Sequence, residues 1–517
     1  MPRSLFHLCA LLLAVKAVAA QEPHPELMRL SVAGPAAMRS RLLPTDLGSL
    51  CSSADAVAIW TGYVERLDAA LRAAHGDDDA FARERARFLG YAGTIHFVVW
   101  LEQAEDGVHV PRWSLALIAE PDARTDLQAM ASECERWLTR VGDTMDGAAR
   151  ELGVATPRVH DGRLLVLLAS AEDLEAANVR AERFVPAPLP RDEVVHLEID
   201  VPPSLLLLRD RNWERGIASD LLGSGVQRAT FAVGSRGPNV SMAMTVAFGE
   251  GSRGLLGGLL PPRTSIPDLE WLVPKETSSR FSWQLDAGAM WTAWSAVLAG
   301  AFERDVKEIR ADEQKRLGID VQRDVFAHLR GDALLLWRAA EVAEADGDAP
   351  FGDACLVLPV RDGRALEAGA AKLLRAIGSA PDVDGDDVFY GQWAGLGHVA
   401  IGHGVACIAF GERGRDHVDA VLELAAERQS RGEVAAAQGN GLCGSGRIDV
   451  SALLARDFYA VVRWAMGAVG ASDFAPSSPV VTTEAQRWLP LLKASGLEDA
   501  AVELKSGASE VSLRVLW

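Results

Sequence analysis

Three short stretches carry residue types whose spacing could do chemistry. Gly439, Gly441 and Gly444 spell GxGxxG, the pattern in which a glycine turn brings backbone N–H groups to a dinucleotide pyrophosphate. That use needs a strand before the glycines and a helix directly after them, so that the helix N-terminus meets the phosphate. Here an Ala- and Glu-rich helical stretch precedes and Arg447 to Val450 follows as a strand, so the run reads as a loop. Asp382, Asp384 and Asp386 place carboxylates at alternate positions and are the candidate Ca²⁺ ligands. Glycine falls at the fourth loop position instead of the sixth, and Trp393 occupies the twelfth in place of a bidentate Glu, so a solvated acidic turn is preferred. His398 and His403 lie in a Gly-rich stretch; on an extended chain their spacing puts them on opposite faces of a sheet, where they do not share a metal.

No HExxH, CxxC or GxSxG pattern is present, and no catalytic or cofactor-binding residue is assigned. Any Ser-His-Asp choice would be arbitrary, because such triads are recognised by geometry. The 14 Trp against 4 Tyr sit mostly inside apolar runs, which reads as core packing. Asn239-Val-Ser241 matches a glycosylation acceptor by chance.

The elements that must position any site are organised by an internal match. Phe231, Val233, Val240, Met242, Met244 and Val246 align without a gap on Val502, Leu504, Val511, Leu513, Val515 and Trp517. Ile199-Asp200-Val201 recurs as Ile448-Asp449-Val450, Asp122 and Arg124 as Asp362 and Arg364, and Leu43-Pro44 as Val273-Pro274. Matches in a conserved order are the mark of repetition. The expectation is an α+β fold of two tandem copies of one repeat, residues 40–250 and 268–517, each with mostly antiparallel strands packed on helices. Residues 21–39 read as an N-terminal extension and 251–267 as a Gly/Pro-rich linker.

Residues 1–20 read as an export signal: Arg3, an apolar core from Leu8 to Val15, then small residues to Ala20. The core is too short to span a bilayer, so no transmembrane helix is expected in the mature chain. Its removal takes Cys9 and leaves Cys51, Cys134, Cys355, Cys407 and Cys443, an odd and sparse set that is no disulfide framework. A net charge of −19 without a basic run argues against nucleic acid and anionic membrane surfaces as partners.

Along the first copy, Ala56 to Trp60 reads as a strand, with a helix through Leu67 and Leu71 after it. Strands follow at Thr94 to Leu101 and Trp113 to Ala119, then a helix opened by Asp122 as N-cap. A strand at Leu164 to Ala169, a helix at Glu172 to Arg183, a strand ended by Pro202-Pro203 and a hairpin turning at 234–239 complete it. The second copy begins with a single helix from Trp291 to Ile309 and repeats the order, with a longer helical insert from Ser451 to Ala494. Alternating strands imply a sheet with one face on helices and one toward solvent. The uncharged run Ala287 to Phe302 reads as a helix buried beneath a sheet.

The segment Leu317-Gly-Ile-Asp320 through Asp324, Leu329, Gly331 and Asp332 to Trp337 resembles a family of exported bacterial proteins catalogued only as a domain of unknown function. In that family a Gly-apolar-Asp leads into a short helix, a Leu-x-Gly-acidic turn and a strand. The resemblance spans mainly residues 272–410 and implies export and an α+β fold, with no catalytic residues attached. Independently of it, Asp320 suits a helix cap and Gly331 a positive φ.

The expected function is that of an exported, periplasmic or extracellular, non-catalytic binding or scaffold protein whose partner is an unknown protein or a small apolar ligand. The alternatives are a hydrolase with a site assembled from scattered residues, and a carrier of an apolar molecule.

Overall fold

In a computed structural model the described residues are 26–59, 61–62, 65, 86–102, 112–123, 125–142, 152–201, 225–250, 253–262, 265–302, 304–338, 353–376, 379, 381–382, 388–393, 397–411, 413–431, 438–439, 442–452 and 478–517. The export signal, the helix through Leu67 and Leu71, Pro202-Pro203, Asp384, Asp386, Gly441 and most of the insert 451–494 lie outside them. The chain forms two compact units. One comprises Met1–Arg215, Gln227–Val246 and Leu516–Trp517; the other comprises Gly216–Val226 and Ala247–Val515.

The first unit contains β1 (Glu26–Ala33), β2 (Thr94–Glu102), β3 (Arg112–Ala119), β4 (Leu152–His160), β5 (Arg163–Ser170), β6 (Glu193–Asp200), most of β7 (Val226–Arg236) and most of β8 (Asn239–Phe248). Pairing is antiparallel in the order β4-β5-β3-β2-β1-β6-β7. The residues expected to form an N-terminal extension therefore supply β1, an interior strand flanked by β2 and β6. Two short strands, β9 (Ser265–Ile266) and β17 (Gln438–Gly439), pair with each other in the second unit. Its main strands are β10 (Ser279–Gln284), β11 (Asp332–Arg338), β12 (Asp353–Pro359), β13 (Pro381–Asp382), β14 (Val388–Trp393), β15 (Gly397–Gly402), β16 (Val405–Phe410), β18 (Gly444–Asp449), β19 (Asp499–Ser506) and β20 (Glu510–Leu516). They run β13-β14-β15-β16-β12-β11-β10-β18-β19, and β19 also pairs with β20.

Both units carry helices on both faces of their strands, not on one. Along β5, Leu164 and Val166 pack with Leu127, Met130 and Ala131 of helix Leu127–Gly142. The alternate residues Leu165, Leu167 and Ala169 pack with Ala177 and Ala181 of helix Leu174–Arg183. That is why β5 runs apolar for six residues instead of alternating. In the second unit Val418, Val421, Leu422 and Ala425 of helix Gly414–Arg431 cover Cys355, Val357, Cys407 and Ala409. On the other side of β14, Leu374 of helix Gly363–Ala376 reaches over Gly391.

Several local expectations change. Residues 54–59 are helical, not a strand. Asp126, not Asp122, caps helix Leu127–Gly142, accepting from Gln128 N (3.0 Å) and Ala129 N (3.1 Å). Asp122 instead ties Ala92 N (2.8 Å) and Thr125 Oγ1 (3.0 Å) together. The single helix expected from Trp291 to Ile309 is two, Ala287–Ala301 and Val306–Leu317, because Asp305 caps a fresh start at Lys307 N (2.7 Å). The first of these is not beneath a sheet. It packs on helix Gly254–Leu259, where Gly258 has no Cβ to meet Met290 Cγ at 2.7 Å, and it leaves Trp294 41% and Phe302 64% exposed. The stretch expected as a linker thus holds packed helix. Leu43-Pro44 follows β1 whereas Val273-Pro274 precedes β10, so that pair of matches does not occupy one place in the two strand orders.

Asp320 caps a short helix through Arg323 N (3.1 Å), and Gly331 takes φ 89°. The β7–β8 turn is the two residues Gly237-Pro238, tighter than the six-residue stretch expected. Trp517 exchanges backbone hydrogen bonds with Val240 (2.7 and 2.9 Å). Among the described residues no helix is long and apolar enough to cross a membrane.

Candidate functional site

Polar side chains of the second unit gather where β10, β18 and β19 meet the loops at their ends. The turn before β10 is closed by Thr277 N donating to Pro274 O (3.1 Å), and both the N–H and the Oγ of Ser278 donate to Trp337 O (2.9 Å each). At the end of β18, Asp449 N donates to Ser279 Oγ (3.0 Å). Asp449 Oδ1 accepts from Ala452 N (2.8 Å) and so caps the single turn Val450–Ala452. Val450 N and Ser451 N both reach Glu498 O, at 2.7 and 3.3 Å. These bonds press Ser451 inward until it is only 7% exposed.

The result is a cleft of about 960 Å³ between these segments and the Gln486, Leu489, Pro490 and Lys493 positions of helix Ser478–Ala494. It falls within the size range of small-molecule sites. Its arginines are neutralised in place: Arg338 pairs with Glu276 and Arg447 with Asp499. The hydrogen bond that Arg447 donates to Asp499 raises the Arg447 pKa above its ordinary value. Thr277 Oγ1 and Ser451 Oγ are different. Both atoms are buried, in residues that line the cleft, and have no hydrogen-bond partner among the described residues. A buried hydroxyl left unsatisfied costs about 1–3 kcal/mol, so two in one cleft mark a place where a polar guest or ordered water belongs.

Arg338 also faces a buried histidine. Asp353 Oδ1 accepts Arg413 N (3.0 Å) at the start of helix Gly414–Arg431, which sets His417 in its first turn, 2% exposed. Neither ring nitrogen of His417 has a partner among the described residues. Burial, then the Arg338 charge, lowers the His417 pKa against the opposing pull of Asp353 and Glu276. The imidazole is therefore held neutral.

Among the described residues, the first unit holds an arrangement that looks like a nucleophile with its base. Ser31 Oγ lies 2.8 Å from His96 Nδ1, and His96 Nε2 lies 3.5 Å from Glu120 Oε1. The contact with His96 lowers the Glu120 pKa. Yet Ser31 is 4% and His96 0% exposed, and neither lines the cleft of the second unit. A nucleophile must meet substrate, so this is a packed polar pair inside a core.

The sequence candidates fall elsewhere. Gly444 opens β18, and a strand rather than a helix follows, as the loop reading requires. Asp382 belongs to β13, its backbone paired with Tyr390, while Asp384 and Asp386 lie outside the described residues. His398 lies on β15, but His403 sits in the β15–β16 turn at φ 49°, so the two do not face opposite sides of one strand. Trp100 and Trp283 are buried, the latter donating Nε1–H to Leu259 O (3.1 Å). Asn239 begins β8. Thr277, Ser451 and His417 carry no spacing signal, because strand pairing alone brings positions so far apart in sequence together. Comparison with protein-family models, curated proteins and solved structures finds no match to this chain.

Proposed function

We propose that the protein is an exported, non-catalytic binding protein built from two copies of one α+β unit, with a small polar ligand held in the second unit's cleft. The observation that carries the ligand reading is the pair of buried, unpartnered hydroxyls of Thr277 and Ser451, residues that line one charged cleft. With the arginines already matched by Glu276 and Asp499, a guest is recognised by hydrogen bonding more than by net charge. Among the described residues Ser451 Oγ has no base to activate it, which supports binding over hydrolysis. The charged lining supports a polar guest over an apolar one. Export rests on the N-terminal residues alone.

Strand order and register support the duplication. The order β4-β5-β3-β2-β1-β6-β7 has its counterpart in β15-β16-β12-β11-β10-β18-β19. Asp200 pairs with Arg228 as Asp449 pairs with Asp499, and Leu197 with Phe231 as Gly446 with Val502. These are the positions at which the sequence matches itself. Asp161-Gly162 and His403-Gly404 form matching hairpin turns, with φ 48° and 74° against 49° and 81°. Asp161 and His403 are the only non-Gly residues with positive φ among those described.

Thermal-shift screening of the full chain against neutral sugars, amino acids and dicarboxylates tests the reading. A hit should weaken about tenfold in Ser451→Ala or Thr277→Val, the loss expected for one buried hydrogen bond. A panel that leaves the melting temperature unmoved, or hits indifferent to both substitutions, would refute it.

A further inference from the structure

Arg447 stands directly opposite Arg280 across β10 and β18, and Asp449 directly opposite Asp499 across β18 and β19. Like charges facing each other across strands destabilise a sheet. Arg280 is relieved by Glu270 (2.8 Å) and Arg447 by Asp499, but the two oppositions remain. Exchanging the residues at 447 and 499 would remove both: an acid at 447 would face Arg280, and a base at 499 would face Asp449. The first unit has that arrangement. Glu198 faces Arg29 (3.0 Å), Arg228 faces Asp200, and Glu198 and Arg228 pair at 2.8 Å. One chain therefore carries the same ion pair twice, with opposite polarity, and the second unit keeps the locally less favourable version.

We propose that the reversed polarity is a pairing code that keeps the strands of one unit from pairing with those of the other while the chain folds. The inference rests on reading the two units as copies. Apolar positions do not discriminate: Ile199 matches Ile448, Phe231 matches Val502, and Val233 matches Leu504. Pairing of β6 with β19 would set Glu198 against Asp499, and pairing of β18 with β7 would set Arg447 against Arg228. In the first wrong pair Asp200 would also face Asp499, while in the second Asp449 would face Arg228 and offset the repulsion. The discrimination therefore lies with β6, which repels β19 and attracts β7. Repulsion built against the wrong partner is how near-identical interfaces are told apart, and misassembly between like units is the characteristic failure of repeated chains.

The test is refolding of the full chain from denaturant. The Arg447→Glu, Asp499→Arg variant keeps an ion pair and loses both like-charge oppositions, so its melting temperature should equal or exceed that of the wild type. Its yield of refolded monomer should nevertheless fall at least about twofold, with oligomers in place of the missing monomer, the scale expected when exposed charge pairs change sign. Adding Glu198→Arg and Arg228→Glu restores opposite polarity between the units and should restore the yield. An unchanged yield in the first variant, or no recovery in the second, overturns the pairing code. A chimera carrying the sequence of residues 500–504 in place of 229–233 separates the two ideas. If it folds and the charge exchange is silent, only the code fails; if it cannot fold, the copies reading fails with it.

Discussion

Ser31 Oγ and His96 Nδ1 lie 2.8 Å apart across β1 and β2, in register, with both residues sealed from solvent. The bond satisfies a ring nitrogen that water cannot reach. Ser31→Val therefore strands that nitrogen and should cost about 1–3 kcal/mol in denaturant unfolding of the full chain. Removing both partners together avoids the stranded atom. In the second unit β10 and β11 already pair Ser282 with Leu334, so an apolar residue suits that kind of position. The double variant Ser31→Val, His96→Leu should be more stable than Ser31→Val alone. A double variant as unstable as the sum of its parts would show that the hydrogen bond is not what the serine supplies.

His417 gives the second unit a dependence on acid. Its folded pKa lies below the ordinary 6.5, so the unfolded chain takes up the proton first. Its contribution to stability is complete above 6.5 and is lost as pH falls toward the lower folded value. Protonation would also put a cation beside Arg338. The wild-type melting temperature should drop between pH 7 and 5, and His417→Leu should show a shallower drop over the same range. Parallel curves for the two proteins would remove His417 as the cause.

Much of this architecture is legible in sequence wherever one signal dominates. Strands such as Arg163–Ser170 and Asp353–Pro359 announce themselves by apolar runs, and helix Gly363–Ala376 by its cap at Asp362. β1 is hidden because Glu26–Ala33 interleaves Arg29 and Ser31 with its apolar residues, and those two draw partners, Glu198 and His96, from distant strands, with Glu26 a second partner of Arg29. The uncharged helix Ala287–Ala301 misleads for the converse reason: lack of charge signals burial, yet its neighbours are short helices that cover part of it. The cleft is illegible because Thr277 and Ser451 become a site only through what they fail to bond. No spacing rule reports a missing partner.

Cys355 and Cys407 illustrate how register limits chemistry. They lie on paired strands, but Cys355 faces Ala409 and Cys407 faces Val357, so the cysteines are diagonal neighbours. A hydrogen bond with the adjoining Cys355 thiol, and then burial, push the Cys407 pKa well above its ordinary value. Diagonal neighbours stand about 7–8 Å apart at Cα, beyond the roughly 4.4–6.8 Å a disulfide spans. The two should remain separate thiols even in an oxidising compartment. Native alkylation should label neither, and alkylation after unfolding without reductant should label both, read by peptide mass mapping. A linked Cys355–Cys407 peptide would contradict this register.

Gly446 tests how closely β10 and β18 approach. A Cβ there would press on the Arg280 carbonyl oxygen and stand 2.7 Å from Phe281 Cδ2. The Arg280 contact is with backbone, so rotating a side chain cannot relieve it. Gly444 is less constrained, with Trp283 Cβ at 2.8 Å and Ser282 O at 3.0 Å. Gly446→Ala should therefore cost about 1–3 kcal/mol, the usual penalty for overfilling a packed site, and Gly444→Ala should cost less. Because β18 carries Arg447 and Asp449 into the cleft wall, strand displacement by Gly446→Ala should also weaken any ligand found in the cleft. Denaturant unfolding gives the first comparison and titration of a screening hit the second. Equal stability of both alanine variants and the wild type would mean that β18 shifts freely against β10, and the Phe281–Trp283 stack, with centroids 5.4 Å apart, would not be the wall that fixes it.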